Sequence, residues 1–214
     1  MKKVSLIFIA AVMTTIMMTS YGCSSKKVNI GKQVWMVKNL NVDKFRNGDP
    51  IPNAKTDEEW RKAGDEGKPA WCYYENDPNN GAKYGKLYNW YAVNDPRGLA
   101  PKGWHVPSDE EWTELTDTLG GPEFIIFIGY SMKSTSGWSI NEFSTNSSGF
   151  SGLPGGYRNN NGDFTAIGEH GHWWSSTEYP TDYAYFRTLI CFTGSVGRMG
   201  SSKKFGFSVR CLSD

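Results

Sequence analysis

The sequence predicts an α+β fold, and three observations carry that prediction. Two capping boxes, Thr56-Asp57-Glu58-Glu59 and Ser108-Asp109-Glu110-Glu111, each stand directly before a tryptophan and open a helix. Tyr183–Phe192 and Phe205–Leu212 alternate side-chain character with a period of two, as strands do. Finally, 9 Trp, 11 Tyr and 11 Phe accompany 24 Gly in 214 residues, a composition that builds a core from large rings spaced by turns rather than from long helices.

The first 22 residues read as a signal peptide. Lys2 and Lys3 precede an apolar run from Val4 to Met18, broken only by Ser5, Thr14 and Thr15. That run is too short for a comfortable transmembrane span. Gly22 then precedes Cys23, the layout of a lipoprotein signal, although Ser20 and Tyr21 are not the residues usual there. The expectation is cleavage before Cys23 and acylation of Cys23, palmitate among the chains, which holds the protein at a membrane. Residues 23–29 then form a polar tether, and residues 30–214 a single domain. The protein is expected in the cell envelope, lipid-anchored at the outer membrane. The net charge of +1 and the scattered Lys and Arg argue against a nucleic-acid partner.

Along the chain, Ile30 to Val42 reads as a strand and Asn47-Gly48-Asp49-Pro50 as a turn. Trp60 lies on the helix opened by Thr56. Ala70 to Tyr74 reads as a strand, Asp77 to Gly81 as a loop and Tyr84 to Val93 as a helix. Trp104-His105-Val106 is a short strand leading into a helix from Ser108 to Leu119, with Trp112, Leu115 and Leu119 on one face and Gly120 as its stop. Residues 131–161 read as turns and long loops, with a tight corner at Leu153–Arg158. His172 to Ser176 is a short strand. The C-terminus reads as a hairpin of Tyr183–Phe192 with Phe205–Leu212, joined by a loop from Thr193 to Lys204.

Beyond Cys23, three cysteines remain: Cys72, Cys191 and Cys211. An exported domain permits one bridge and one leftover thiol. Cys191 and Cys211 are out of register in the predicted hairpin, so Cys72 with Cys211 is the favoured pair. The alternative is three buried free thiols.

Six blocks occur in order: Gly31–Met36, Tyr84–Val93, Gly103–Trp112, Gly152–Arg158, Trp173–Thr177 and Gly206–Cys211. Together they resemble the Fibrobacter succinogenes major paralogous domain, found in envelope lipoproteins of Gram-negative bacteria and without an assigned activity. More distantly, the Pro107–capped-helix block and the closing Gly-Phe-Ser-Val-Arg strand are similar to formylglycine-generating enzymes and C-type-lectin-like domains. The resemblance implies a C-type-lectin-like α+β fold: two helices packed on a small twisted antiparallel sheet, with long loops carrying any site.

Glu169-His170-Gly171-His172 is the one His cluster, but two His and a carboxylate without a third ligand are not expected to hold a metal. Cys191 stands where the resemblance to formylglycine-generating enzymes would place a cysteine pair, yet no second thiol or base is near it in sequence. No Ser/His/Asp set or carboxylate pair stands out, so no enzyme is expected. Asn94-Asp95-Pro96 and Asn159 to Asp163 offer oxygen ligands that suit at most a structural calcium. The place where rings, amides and a guanidinium crowd together is Tyr157, Arg158, Asn159, Asn160 and Asp163 with His172, Trp173 and Trp174, a set that suits a glycan. The expected function is an envelope-anchored interaction module that binds a glycan or an envelope protein. The alternatives are a structural lipoprotein without a ligand site and an envelope enzyme related to formylglycine-generating enzymes.

Overall fold

The computed structural model describes residues 26–214. The signal peptide and Cys23 lie outside the described residues. Lys27–Asn29, read as the end of the tether, instead belong to the first strand. Eleven strands and five α-helices are described: β1 (Lys27–Ile30), β2 (Gln33–Met36), α1 (Asp57–Asp65), β3 (Trp71–Cys72), α2 (Pro78–Tyr84), β4 (Leu87–Tyr88), α3 (Trp90–Val93), β5 (Trp104–His105), α4 (Asp109–Thr118), α5 (Gly121–Met132), β6 (Gly155–Arg158), β7 (Phe164–Ile167), β8 (His170–Tyr179), β9 (Tyr183–Ile190), β10 (Val196–Ser202) and β11 (Leu212–Ser213). The α+β class holds. The strands form a four-stranded sheet in the order β1-β2-β11-β5, a five-stranded sheet in the order β10-β9-β8-β6-β7, and the pair β3-β4. The larger sheet is not purely antiparallel, because β6 runs parallel to β8.

Both capping boxes form. Thr56 accepts from Glu59 N and Ser108 from Glu111 N, and in each case the glutamate returns a bond to the cap backbone. Two backbone N–H groups at each helix start are thereby satisfied. Trp60, Trp112 and Leu115 are buried, as the spacing requires. Asp109 also fixes α4 to the larger sheet: its carboxylate receives Arg187 at 2.6 Å and Arg198 at 2.7 Å. Burial works against ionisation of Asp109, but the hydrogen bonds from Arg198 and Arg187 outweigh it and hold the pKa below the usual value.

Several expectations are corrected. The strand read from Ile30 to Val42 is a hairpin, because Gly31 adopts φ 60° and turns the chain so that Ile30 faces Gln33. The loop read at Asp77–Gly81 is the start of α2, capped by Asp77. The helix read from Tyr84 resolves into β4 and the single turn α3, capped by Asn89. A whole helix, α5, follows directly on Gly120, where only a stop was read. The corner at Leu153–Arg158 opens the hairpin β6–β7.

The largest correction is at the C-terminus. β9 pairs with β10, which lies inside the segment read as a loop, and not with Phe205–Leu212. That last segment instead threads between the sheets. Arg158 and Gly206 exchange backbone bonds, as do Tyr88 and Phe207; Trp174 N donates to Ser208 O, Leu40 N to Val209 O and Met36 N to Cys211 O. Leu212 then pairs with both Trp35 and His105.

The expected Cys72–Cys211 bridge is absent: Cys72, Cys191 and Cys211 are buried free thiols. The β3–β4 ladder explains why. Trp71 pairs with Tyr88 and Cys72 with Leu87. Strand alternation sends Trp71 and Tyr88 into one core cluster with Cys211, and Cys72 and Leu87 into another with Trp60 and Tyr74. Burial pushes the thiols of both Cys72 and Cys211 up to about 12. A third cluster sets Trp35 against Trp112 at 4.7 Å with the rings tilted, and Phe150 5.7 Å from Trp173.

Ser108→Ala should lower the unfolding free energy by about 1 kcal/mol, and Trp112→Ala by roughly 3–5 kcal/mol; denaturant titration measures both, and an unchanged midpoint in the second variant would contradict the packing. The three thiols should resist maleimide until the protein is unfolded, and dithiothreitol should leave the melting temperature unchanged. Mass mapping of the labelled cysteines checks the first statement. A melting temperature that falls on reduction would restore the bridge.

Candidate functional site

Strand alternation divides the set proposed from the sequence. On β6, Tyr157 and its neighbour Arg158 point to opposite faces. Arg158 is fully buried: it donates to Gly162 O at 2.8 Å, Ala54 O at 2.7 Å and Asp57 Oδ1 at 2.9 Å, and lies over the rings of Trp60 and Phe164. It is a fastening between the β6–β7 turn and the start of α1. Trp173 and Trp174 are buried core residues, their indole N–H groups satisfied by Asn39 Oδ1 and Tyr88 O. Asn159 closes its own turn, accepting from Asn161 N and Asp163 N and donating to Asp163 Oδ2. Asn160 and Asp163 are exposed in that turn. Of the eight residues, Tyr157 and His172 meet at a cavity.

That cavity, of about 320 Å³, lies on one face of the larger sheet. Its floor follows the pleat. His170 and His172 come from β8, their cross-strand partners Ile190 and Thr188 from β9 together with Phe186, and Met199 and Ser201 from β10. Tyr157, Phe205 and Phe207 complete the wall. The rings are locked against one another: His172 stacks on Phe207 at 5.0 Å and meets Tyr157 edge-on at 5.0 Å, while Tyr157 stacks on Phe205 at 6.0 Å. Gly197 lies opposite Thr188, and a Cβ there would come within 2.5 Å of the threonine methyl. The glycine thus keeps the floor beside Thr188 clear.

The electrostatics of the groove are those of a neutral site. His172 is 7% exposed, and burial, reinforced by repulsion from His170, lowers its pKa to about 3. Burial lowers His170 as well. Both rings are uncharged at neutral pH. Among the described residues, the buried polar atoms without a hydrogen-bond partner include His172 Nδ1, His172 Nε2 and Thr188 Oγ1, on two residues that line this groove. A neutral imidazole offers one donor and one acceptor, and a hydroxyl offers both. Leaving such atoms unmatched costs roughly 1–3 kcal/mol each. Thr188 and His172 do not bond to each other, so the pair lacks the geometry of a base-activated nucleophile.

A broader depression of about 830 Å³ lies along α4, beside Glu110, Glu114 and Asp117. Its buried acid, Asp109, is already paired with Arg187 and Arg198. Asp95, one of the oxygen donors considered for calcium, is held by Arg97 at 2.8 Å. No group of three or more His, Cys, Asp or Glu positioned to hold a metal occurs among the described residues. Cys191 is buried in the cluster around Trp173 and Leu189.

Residues 28–213 match the family model of the Fibrobacter succinogenes major domain. The chain belongs to this family. No curated protein and no solved structure matches it. In this Fibrobacter succinogenes major domain, sequence reasoning found Tyr157 and His172 but missed Thr188, Phe186, Ser201, Met199, Phe205 and Phe207. The alternation of Phe186, Thr188 and Ile190 was a legible signal. What placed it beside His172 was the register of β8 on β9.

The His172 shift has a consequence for stability. Its folded pKa lies below the unfolded value, so between the two the unfolded chain binds more protons, and stability falls as pH drops through about 6.5 toward 3. From pH 7 to pH 5 this one group should remove about 2 kcal/mol. His172→Phe should abolish that share of the pH dependence. Denaturant titrations of both proteins at the two pH values measure the difference, and parallel curves would show that His172 is not neutral and buried.

Proposed function

We propose that the protein is an outer-membrane lipoprotein, held through acylated Cys23, whose folded part binds an uncharged glycan in the aromatic groove. One observation carries the binding reading: His172 Nδ1, His172 Nε2 and Thr188 Oγ1 are left without partners, and both residues line a cavity walled by Tyr157, Phe205 and Phe207. Rings beside matched donors and acceptors suit a sugar, whose C–H face stacks while its hydroxyls bond. The neutral histidines favour an uncharged ligand over an anion. The cavity volume suits a single ring rather than a long chain, so each site binds weakly, and many copies on one membrane raise the effective concentration. The arrangement of Thr188 and His172 favours binding over nucleophilic catalysis.

What supports the anchor is the sequence Lys2-Lys3, the apolar run and Gly22-Cys23. The C-type-lectin-like arrangement is part of the same reading, supported by the Pro107–α4 block and by the closing strand β11 set between β2 and β5.

The groove reading makes a two-sided prediction. His172→Phe removes two unmatched polar atoms, so it should raise stability at pH 7 by roughly 2 kcal/mol or more while weakening glycan binding at least about tenfold. Thr188→Val should weaken binding in the same direction. An array of neutral and charged glycans, followed by titration calorimetry on the best neutral one, reads the binding. Wild-type protein that retains no neutral glycan, or a His172→Phe variant that binds like wild type, would sink the reading.

A further inference from the structure

Large apolar side chains crowd one edge of the molecule, and nothing among the described residues covers them. Ile126 and Phe127 on α5, Phe143 in the loop after it, and Phe192 in the β9–β10 turn are 55, 57, 59 and 69% exposed. They belong to one patch. The Phe143 ring lies 5.4 Å from that of Tyr130, which follows Ile126 by one helical turn. Gly194, two residues past Phe192, accepts from Gly129 N at 2.6 Å and packs against Tyr130 and the Ile126 carbonyl. The opposite face of α5, with Ile128 and Met132, is buried in the core. Packing therefore accounts for one side of this helix and leaves the apolar character of the other unexplained.

The second observation is where β1 begins. Val28 packs against Gly149, whose Cβ would stand 2.8 Å from the valine methyl. The segment just before Gly149 is tied to the end of α5, with Thr145 N donating to Tyr130 O at 2.9 Å and Ser148 N to Ser131 O at 3.1 Å. The first strand and the apolar patch thus share one side of the molecule. Only Ser24 and Ser25 separate Cys23 from Lys26, and three peptide steps span at most about 11 Å. A lipid on Cys23 therefore brings the start of β1 to the headgroup layer. Lys26 and Lys27 are exposed there, and ammonium groups suit an anionic lipid surface.

We infer that the edge formed by Ile126, Phe127, Phe143 and Phe192 rests in the surface of the bilayer that holds the anchor, so that the domain lies against the membrane in one orientation instead of swinging on its tether. The inference rests on acylation of Cys23. Half-exposed rings enter the boundary between headgroups and acyl chains, where apolar surface leaves water without crossing the membrane.

The test uses the full-length chain, expressed in a Gram-negative host and purified in its mature form, with the intact mass reporting acylation. Phe127→Cys, Phe192→Cys and, as a control on α1, Lys62→Cys each carry an NBD fluorophore. The proteins are reconstituted in vesicles of phosphatidylethanolamine and phosphatidylglycerol containing doxyl-labelled lipid. Emission at positions 127 and 192 should shift to the blue and be quenched several-fold more than at position 62. Equal, unshifted emission at all three positions in acylated protein overturns the inference while leaving the anchor intact. A concentration-dependent blue shift without doxyl quenching also overturns it, because a second copy of the chain then covers the face. A mature mass without acyl chains removes the anchor itself, and the membrane-resting edge with it. Phe127→Ser combined with Phe192→Ser should keep the wild-type melting temperature while reducing contact at a probe on Phe143→Cys. Unchanged contact in that variant counts against the proposal.

Discussion

The arrangement hangs on a buried guanidinium. Arg210 is fully excluded from solvent, and its partners are the Met36 and Phe150 carbonyls and Asn39 Oδ1, with no carboxylate among them. Burial lowers its pKa to about 9, so it still carries its charge at neutral pH. A buried cation is tolerable only where its donors are all matched. Asn39 takes half of these bonds, and its oxygen also accepts from Trp173 Nε1 at 2.8 Å while its amide donates to Tyr84 O at 2.8 Å and Ser208 Oγ at 3.2 Å. One side chain thereby fixes the segment after β2, the end of α2, β8 and the C-terminal thread relative to one another. The position of His172 follows, because Ser208 N donates to the His172 carbonyl two residues before Arg210.

The groove differs from the buried cations of the interior. Arg158, Lys133, Arg187 and Arg210 are all buried, and each is matched by carbonyls or carboxylates. His172 and Thr188 are buried on facing strands and matched by nothing. A fold that satisfies its hardest groups and leaves these two neighbouring ones open, as it does the single atoms Trp60 Nε1, Asn76 Oδ1 and Trp112 Nε1 elsewhere, has given up local stability here. The cost is small because the imidazole sheds its charge: a protonated ring at that depth would be far more expensive.

The parts of the fold legible in the sequence were those written in local chemistry. Thr56 and Ser108 announced α1 and α4 because a capping box is a short-range bond pattern. Tyr183–Ile190 announced β9 because alternation survives burial. The family resemblance was legible as six ordered blocks. By contrast, α5 carries Ile126 and Phe127 on its outer face as well as Ile128 and Met132 on its inner one, so it has no polar stripe to show its period, and the glycines before it mark both the end of one helix and the start of the next. The Gly and Ser of β10 look like a loop, and β9 is what makes them a strand. With β10 hidden, the C-terminal thread was the obvious but wrong partner for β9. The site failed for a related reason. Tyr157-Arg158 and His172-Trp173 are neighbours in sequence, but a strand sends neighbours to opposite faces, so only one of each pair reaches the groove.

The thread from Gly206 to Ser213 also sets the order of events in folding. It supplies bonds to Met36, Leu40, Tyr88, Arg158 and Trp174, residues spread across most of the described chain. Contacts between such distant positions are entropically late. Helices capped by local boxes can flicker into existence while the chain is still being extended, but the backbone bonds that run from sheet to sheet through this thread form only when its residues arrive. The protein therefore stays unlatched for as long as its carboxyl-terminal end is held back.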